Sequence, residues 1–286
     1  MENLDTLAFL GFLLSTMLSL GLQTEVGQLR AMFSARSALL PMLLANFVIA
    51  PLLGIAIVRM VPMPEGSAAA LLILACVPGG LSALQFTRKQ KGHEAVAGAA
   101  VVLLSVLAVF VSPVLVRAVL PGDANPEVPY LRLLGFYALF LLAPLGAGIL
   151  IGERDPRLAE KLTSFLGVLS AALFIGFMLL TKSFRKEAVA SVGGAAVAAM
   201  LVFILATMVT GWLLGGPQFE RRHLLASTTS MRNAALALAV ARESPQGALI
   251  LPSLVAFSLL MVPPNTLLML WGLIRARRAA GASGKR

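Results

Sequence analysis

Nine apolar stretches, separated by charged or Pro/Gly-rich segments, make up most of this chain of 286 residues. Each is close to the about 20 residues that a helix needs to cross a bilayer. With 58% hydrophobic and 13% charged residues, the chain could not keep so much apolar surface out of water as a soluble globule. The sequence therefore predicts one all-α integral membrane domain over residues 1–286, with nine transmembrane helices. The predicted spans are residues 6–22, 37–59, 66–87, 95–120, 129–151, 158–181, 188–214, 222–241 and 245–274.

Basic residues give the predicted spans a direction. The net charge is +10, but the Lys and Arg residues cluster at the ends of apolar stretches without interleaved aromatic residues. This pattern is typical of charge that meets anionic lipid, so we expect the bilayer as a partner and no nucleic acid. With nine crossings, 15 Lys and Arg residues fall on one side and 7 on the other. We therefore expect a bacterial inner or plasma membrane location, with the N-terminus outside and the C-terminus in the cytoplasm.

The predicted spans contain no set of residues of the kind that catalysis or metal binding would need. Cys76 is the single cysteine of the sequence, which excludes an internal disulfide and a multi-cysteine metal site. No Asp/Glu pair lies within a predicted span, and no hydrolytic set of residues is apparent. We predict no enzyme activity, no catalytic residues, no metal and no cofactor.

The third predicted span contains a helix break at Pro78-Gly79-Gly80, followed by Leu81 and Ser82. Glycine can adopt positive φ and lets another backbone approach closely. Amides that follow the break would begin a half-helix whose positive end favours an anion. At membrane depth such a break is tolerated only beside protein or a water-filled cavity.

The eighth predicted span contains a polar run that includes Arg232, about ten residues from either end of the span. Arginine stays protonated, and leaving it unpaired in lipid costs on the order of 3 kcal/mol or more. Two roles remain open: Arg232 contacts an anionic ligand, or it binds backbone carbonyls freed at the break near Pro78. The run could be a second break or a helix whose hydroxyls bond back to its own carbonyls. Its residues are Ser227, Thr228, Thr229, Ser230, Met231, Arg232 and Asn233.

The two interrupted spans have the relation expected of inverted repeats. In the nine-span topology the third and eighth helices run in opposite directions, and helices one to four would repeat as helices six to nine. Two interrupted segments in corresponding halves mark the binding site of many transporters. We therefore expect the two broken helices to cross near the bilayer midplane.

These residues resemble the bile acid:sodium symporter family of secondary transporters. Its first crossover motif, Cys-x-Pro-Gly-Gly-x-x-Ser-Asn, is matched from Cys76 to Gly80, and its second, Glu-x-Gly-Met-Gln-Asn-x-x-Leu-Ala, is matched at four positions. Those positions are Met231, Asn233, Leu236 and Ala237. The resemblance implies alternating access, in which a panel at residues 6–22 and 129–181 moves against a core at residues 37–120 and 188–274.

The sequence departs from the family pattern at the positions that the resemblance assigns to sodium. Aligned without gaps, Ala83 and Leu84 replace the Ser-Asn pair, and Thr228 and Arg232 replace the glutamate and glutamine of the second motif. Ala97 and Val101 stand at ligand positions of the next helix, and Asn46 at a glutamine position. A hard cation needs oxygen ligands and is repelled by arginine. The residues left for an ion are Asn46, Ser82 and Thr228.

The resemblance and the residues together predict a transporter of a small organic anion, for which sodium coupling is not expected. The alternative is a receptor or sensor of the same fold that binds such an anion without moving it. In either case the predicted site lies at the crossover, and the oligomeric state is not predicted. The predicted site residues are Pro78, Gly79, Gly80, Leu81, Ser82, Thr228, Thr229, Ser230, Met231, Arg232 and Asn233.

Overall fold

The computed structural model describes residues 2–27, 36–79, 94–122, 130–180 and 186–283, and these residues form helices joined by turns. Within those ranges no strand is formed, and the one extended pairing is an isolated bridge between Pro78 and Arg232. The helices are α1 (Glu2–Leu22), α2 (Arg36–Leu44), α3 (Ala50–Met60), α4 (Glu65–Cys76), α5 (Glu94–Val119), α6 (Tyr130–Tyr137), α7 (Ala143–Arg154), α8 (Pro156–Leu180), α9 (Lys186–Val192), α10 (Gly194–Leu214), α11 (Phe219–Ser230), α12 (Ala234–Arg242), α13 (Gly247–Leu260) and α14 (Val262–Ser283).

Seven helical segments of the described chain are long and apolar enough to cross a membrane, which confirms the all-α membrane class. They correspond to seven of the nine predicted spans. The other two predictions, residues 66–87 and 222–241, are the interrupted ones, and there the longest described helices have 12 residues. The nine-helix count therefore stays a prediction. The seven segments are Leu4–Leu22, Leu39–Met60, Val102–Val119, Leu134–Arg154, Pro156–Leu180, Gly194–Leu214 and Gly247–Arg275.

Two prolines within predicted spans follow a π-helical turn. Ala45–Ile49 lies just before Pro51, and Ala138–Leu142 lies just before Pro144. Proline has no N–H to give to an α-helical bond, and a single wider turn can absorb this without ending the helix. The helix pairs α2/α3 and α6/α7 are therefore each continuous across the turn.

Two predicted spans are divided where the sequence analysis expected continuity. Gly193 has φ +78° and separates α9 from α10, so the expectation of one helix over residues 188–214 was wrong. A positive φ suits glycine and ends a helix. Met261 similarly forms a turn between α13 and α14, and Pro263 and Pro264 follow it within the first turn of the new helix.

Helix α1 packs closely against α7 and α8. A Cβ added to Gly21 would lie 2.1 Å from the carbonyl oxygen of Leu145, so the two backbones meet without side chains between them. Small residues allow this approach between membrane helices. The packing of α1 on α8 is antiparallel, because Phe9 stacks on Phe177 while Leu22 clusters with Ala159. We call the end of the protein where α1 begins the proximal end, and the end where α1 finishes the distal end.

The interrupted helices lie inside the protein. In α4 every residue from Ala69 to Cys76 is buried, and in α11 every residue from His223 to Ser230 is buried. Backbone groups that leave a helix at membrane depth must find partners within the protein. The burial of α4 and α11 therefore places their broken ends where such partners are available.

Candidate functional site at the crossing of two broken helices

The first break follows Cys76, where α4 ends. Val77 has φ −114° and ψ 89°, and Gly79 has φ +66°. A Cβ added to Gly79 would lie 2.8 Å from the Cβ of Leu104. Both the backbone angle and the neighbouring helix α5 therefore require glycine. Of the predicted residues at this break, Pro78 and Gly79 are described, whereas Gly80, Leu81 and Ser82 lie outside the described residues.

The second break is shorter than the polar run that predicted it. Ser227 to Ser230 are helical and form the end of α11, and the break comprises Met231 to Asn233. The hydroxyl of Thr228 donates to the carbonyl of Leu224 at 2.8 Å, one turn earlier. This is the local bonding that lets a hydroxyl-rich segment stay helical. Of the two alternatives left open by the sequence, Ser227 to Ser230 therefore follow the helical one, and the break begins at Met231.

The two breaks meet as a short antiparallel pairing. Pro78 and Arg232 form the isolated bridge, and the Asn233 amide donates to the carbonyl of Val77 at 3.2 Å. Residues from two predicted site segments that are about 150 positions apart in the sequence are thus in direct contact.

Arg232 is fully buried, and its guanidinium donates to oxygens from three elements. Its Nε–H bonds the carbonyl of Leu74 at 2.7 Å, and its Nη2 bonds the carbonyl of Ala75, both in the last turn of α4. Its Nη1 donates to the carbonyl of Thr229 at 3.2 Å and to the Asn46 Oδ1 at 3.0 Å. Of the two roles left open by the sequence, the contact with freed carbonyls is therefore realised.

Three further carbonyls of the first break, those of Cys76, Val77 and Gly79, also have partners. The Ser112 hydroxyl donates to the carbonyl of Cys76 at 2.7 Å, and the Ser105 hydroxyl lies 3.5 Å from the carbonyl of Gly79. Together with the bond to Val77, these contacts satisfy carbonyls that a continuous helix would have paired internally. The break is therefore stabilised by α5 on one side and by Arg232 on the other.

Asn46 links a third element to the crossover. It lies in the π-helical turn Ala45–Ile49, and its Nδ2 donates to the carbonyl of Met42 at 3.0 Å and to the Thr229 hydroxyl at 3.4 Å. Because its Oδ1 accepts from Arg232, both polar atoms of the Asn46 side chain have hydrogen-bond partners. π-Helical turns recur at functional sites because they present side chains at altered positions.

The other predicted residues face different partners. The Ser230 hydroxyl donates to the Asn265 Oδ1 at 3.0 Å and to the carbonyl of Ala226, and Met231 is fully buried. Thr228 is committed to carbonyls of its own helix, so its hydroxyl hydrogen does not point to the Arg232 cluster. Ala83 and Leu84 lie outside the described residues, as do the side chains of Ala97 and Val101.

A cavity of about 260 Å³ lies between the second break and helices α1 and α8. Arg232 is the one charged residue among the described residues that border it, and none of these is acidic. Its other lining residues are Phe12, Thr16, Gly167, Ser170, Ala171, Phe174, Asn233, Ala234, Ala235, Ser258, Met261 and Val262.

Two residues that line this cavity each have a buried polar atom without a hydrogen-bond partner among the described residues. These atoms are the Nδ2 of Asn233, a residue that is 3% exposed, and the Oγ1 of Thr16, a residue that is 7% exposed. The Asn233 Oδ1 caps α12 by accepting from the Leu236 amide at 3.0 Å. The amides of Ala234 and Ala235 precede the first bond within α12, so they have no acceptor in that helix. Unpaired donors at a helix N-terminus form a binding site for an anion.

Sequence reasoning found the residues of the crossover but missed those of the opposite wall. Thr16, Phe12 and Phe174 lie on α1 and α8, and no break or charged residue lies within one helical turn of them to mark them. Asn265 was also missed, although an amide in an apolar stretch beside two prolines is an available signal. Which face of α1 meets the crossover depends on long-range packing, and the near-uniform hydrophobicity of these helices does not encode it.

Comparison with known proteins places the chain in a family. The model of the Sodium Bile acid symporter family matches residues 10–212. A probable sodium/metabolite cotransporter of rice chloroplasts (Oryza sativa subsp. indica) is 27% identical over 88% of this chain and 67% of its own length. The hepatic sodium/bile acid cotransporter of Rattus norvegicus is 26% identical over 71% of this chain and 56% of its own length.

The family match covers the first break but ends before the second, whereas the alignment with the rice protein runs over most of the chain. Members of this family are transporters and not enzymes, and the apolar helices agree with a multi-pass membrane protein. The chain belongs to the sodium bile acid symporter family.

Proposed function

We propose that this protein is a secondary transporter that moves a small organic anion by alternating access, with its binding site in the cavity beside the second break. The observation that carries the proposal is that Thr16 and Asn233, which both line that cavity, each have a buried polar atom without a hydrogen-bond partner among the described residues. Thr16 lies on α1 and Asn233 at the crossover, so a ligand between them would be released when α1 and the crossover move apart.

An anion fits this cavity better than a cation. The N-terminus of α12 and the guanidinium of Arg232 both contribute positive potential, and no described lining residue is acidic. Phe12 and Phe174 stack with ring centroids 5.1 Å apart and give an apolar wall. The volume lies just below the about 300–1,000 Å³ of sites for drug-sized ligands. The cargo is therefore a small carboxylate with a compact apolar body.

Sodium is not expected at the crossover, although relatives are named as sodium cotransporters. Four oxygens converge there, three from backbone carbonyls and one from Asn46, and all four accept from Arg232. A hard cation would need such oxygens as ligands and would be repelled by the guanidinium. Arg232 thus supplies permanently the positive charge that a bound ion would otherwise supply, and transport is sodium-independent.

Nine crossings agree better with the helix packing than seven do. Leu22 and Ala159 cluster at the distal end, so the chain between α1 and α8 must cross an even number of times. Three uninterrupted helices lie between them, so an even count needs a fourth crossing, which we assign to the broken segment at residues 66–87. The contact of Arg242 with Asp5 at the proximal end supports a crossing by the broken segment α11/α12 as well. This count supports the antiparallel, inverted-repeat relation of the two broken helices and the panel and core proposed for alternating access.

The proposal is tested by uptake into proteoliposomes, with taurocholate as a bulky anion and 2-hydroxyisovalerate as a small one. We expect saturable uptake of the small anion at equal rates under sodium and potassium gradients. Several-fold faster uptake under sodium would contradict the sodium-independent mechanism. No uptake of either anion, combined with anion-induced thermal stabilisation, would favour the receptor role instead.

A matched variant tests the binding site. Asn233→Asp keeps an oxygen that can cap α12, but it replaces the Nδ2 donor by a negative charge. We expect the variant to fold and its KM for the small anion to rise about tenfold or more, because a hydrogen bond to a charged group contributes roughly 1.5–3 kcal/mol. An unchanged KM would exclude Asn233 as an anion contact.

A further inference from the structure

At the proximal end, Arg242 joins α12 to α1 and α8. Arg242 ends α12, and its Nη2 donates to the Thr6 hydroxyl at 2.7 Å while its Nη1 lies 3.5 Å from the Asp5 Oδ2. Its guanidinium carbon lies 4.9 Å from the ring centroid of Phe9 and 5.9 Å from that of Phe177. These contacts connect α12 to two helices that are packed tightly on each other.

The position of this cluster places it above the cavity. Asn233, which borders the cavity, and Arg242 lie at opposite ends of α12, nine residues or about 13 Å apart along the helix. On α1 the same direction leads from Thr16 and Phe12 in the cavity wall to Phe9 and then to Asp5. The cluster therefore covers the cavity from the proximal end.

The contacts made by Arg242 are of a kind that can open. Asp5 and Arg242 have side chains that are 24% exposed, so water can replace the ion pair. The Asp5 Oδ1 and the Arg242 Nη1 are buried without a hydrogen-bond partner among the described residues. Buried polar atoms that lack partners are costly, and opening would hydrate them. By contrast, the close approach of Gly21 to the backbone of Leu145, between α1 and α7, involves no charged side chain.

We propose that Asp5 and Arg242 form the proximal gate of the transport cycle. The gate is closed in this structure and opens when the two broken helices move away from α1 and α8. The gate rests on the proposed alternating access. The alternative to the gate is a purely local role, in which Arg242 interacts favourably with the helix dipole at the C-terminus of α12. The local role requires nothing of Asp5, whereas the gate requires both residues.

The gate is tested by the accessibility of the cavity to a thiol reagent. The native Cys76 is fully buried, so a cysteine introduced at Ser258 in the cavity wall reports on access. A membrane-impermeant methanethiosulfonate is added to sealed vesicles on the side that carries an N-terminal tag. We expect Arg242→Gln to raise the labelling rate of S258C about three- to tenfold, since an ion pair and a cation–π contact are lost. Asp5→Asn should raise it less, and Arg242→Lys should stay near the parent rate.

Arg59 provides the matched control, because it is an exposed arginine in the last turn of α3. The gate is overturned if R242Q and D5N label at the parent rate, or if Arg59→Gln raises the rate as much. A fall in thermal stability of R242Q with no gain in labelling supports the local role. If R242Q does not fold, D5N alone decides, since Asp5 has no part in the α12 dipole. Labelling needs no cargo, so a failure of anion uptake would refute the proposed function without refuting the gate.

Discussion

At the scale of single residues, Arg232 stabilises the crossover of the two broken helices. We expect Arg232→Ala to leave the carbonyls of Leu74 and Ala75 and the Asn46 amide oxygen buried without these donors. Losing charged hydrogen bonds of this kind costs roughly 2–4 kcal/mol, which lowers the Tm of the purified protein by roughly 5–15 °C. Thermal unfolding in detergent measures the shift.

Arg59→Ala is the control for this prediction, because the Arg59 side chain is exposed and its removal should change the Tm by no more than about 2 °C. Arg232→Lys discriminates further. Lysine keeps the charge but cannot reproduce a fork that reaches oxygens on three elements, so it should recover only part of the lost stability. An R232A protein as stable as the parent would mean that water or another side chain satisfies these oxygens.

At the scale of secondary-structure elements, the first break depends on Gly79. Gly79→Ala would force a side chain into φ +66° and would place its Cβ 2.8 Å from the Cβ of Leu104. Positive φ and overpacking each cost roughly 1–2 kcal/mol, so we expect a Tm lowered by roughly 5–15 °C.

Gly176→Ala serves as the matched substitution on α8, where an added Cβ meets nothing within 4 Å. Alanine is the better helix former by up to about 1 kcal/mol, so the Tm should stay the same or rise. If G79A and G176A had equal effects, the strain assigned to Gly79 would be incorrect.

Part of the arrangement of helices and breaks could be predicted from the sequence. The length of the apolar runs predicted seven helices correctly, because crossing a bilayer fixes a minimum length. The break at Pro78-Gly79 was also predictable, since both residues disfavour a helix. The extent of the second break was not, because Thr228 and Ser230 can satisfy their hydroxyls inside a helix as well as outside one. The division at Gly193 was missed because glycine in an apolar run also marks close packing.

At the scale of the whole molecule, the contacts on which the proposed function and the proposed gate depend join distant parts of the chain. Asp5 and Arg242 are 237 positions apart, and Thr16 meets the second break only because α1 packs between α8 and α12. Single-residue signals such as an intramembrane arginine can be read from the sequence. A wall made by an unmarked helix face cannot, since its position is set by the packing of all the helices together.

The last prediction concerns how many times the chain crosses the membrane. Leu4 and Glu160 lie at opposite ends of the α1/α8 pair, and both side chains are exposed. Cysteines introduced one at a time at these positions should react with an impermeant maleimide from opposite sides of the membrane. An acidic residue contributes little to orientation, so replacing Glu160 should not itself change the topology.

The number of crossings follows from parity. If residues 66–87 did not cross, the three uninterrupted helices between α1 and α8 would bring Glu160 to the same side as Leu4. Labelling of L4C and E160C from one side would therefore contradict both the fourth crossing and the antiparallel packing of α1 on α8. Labelling from opposite sides requires the broken segment to span the membrane, which is the condition for a crossover that can be reached alternately from its two faces. The side on which L4C reacts in intact cells then tests the predicted external N-terminus.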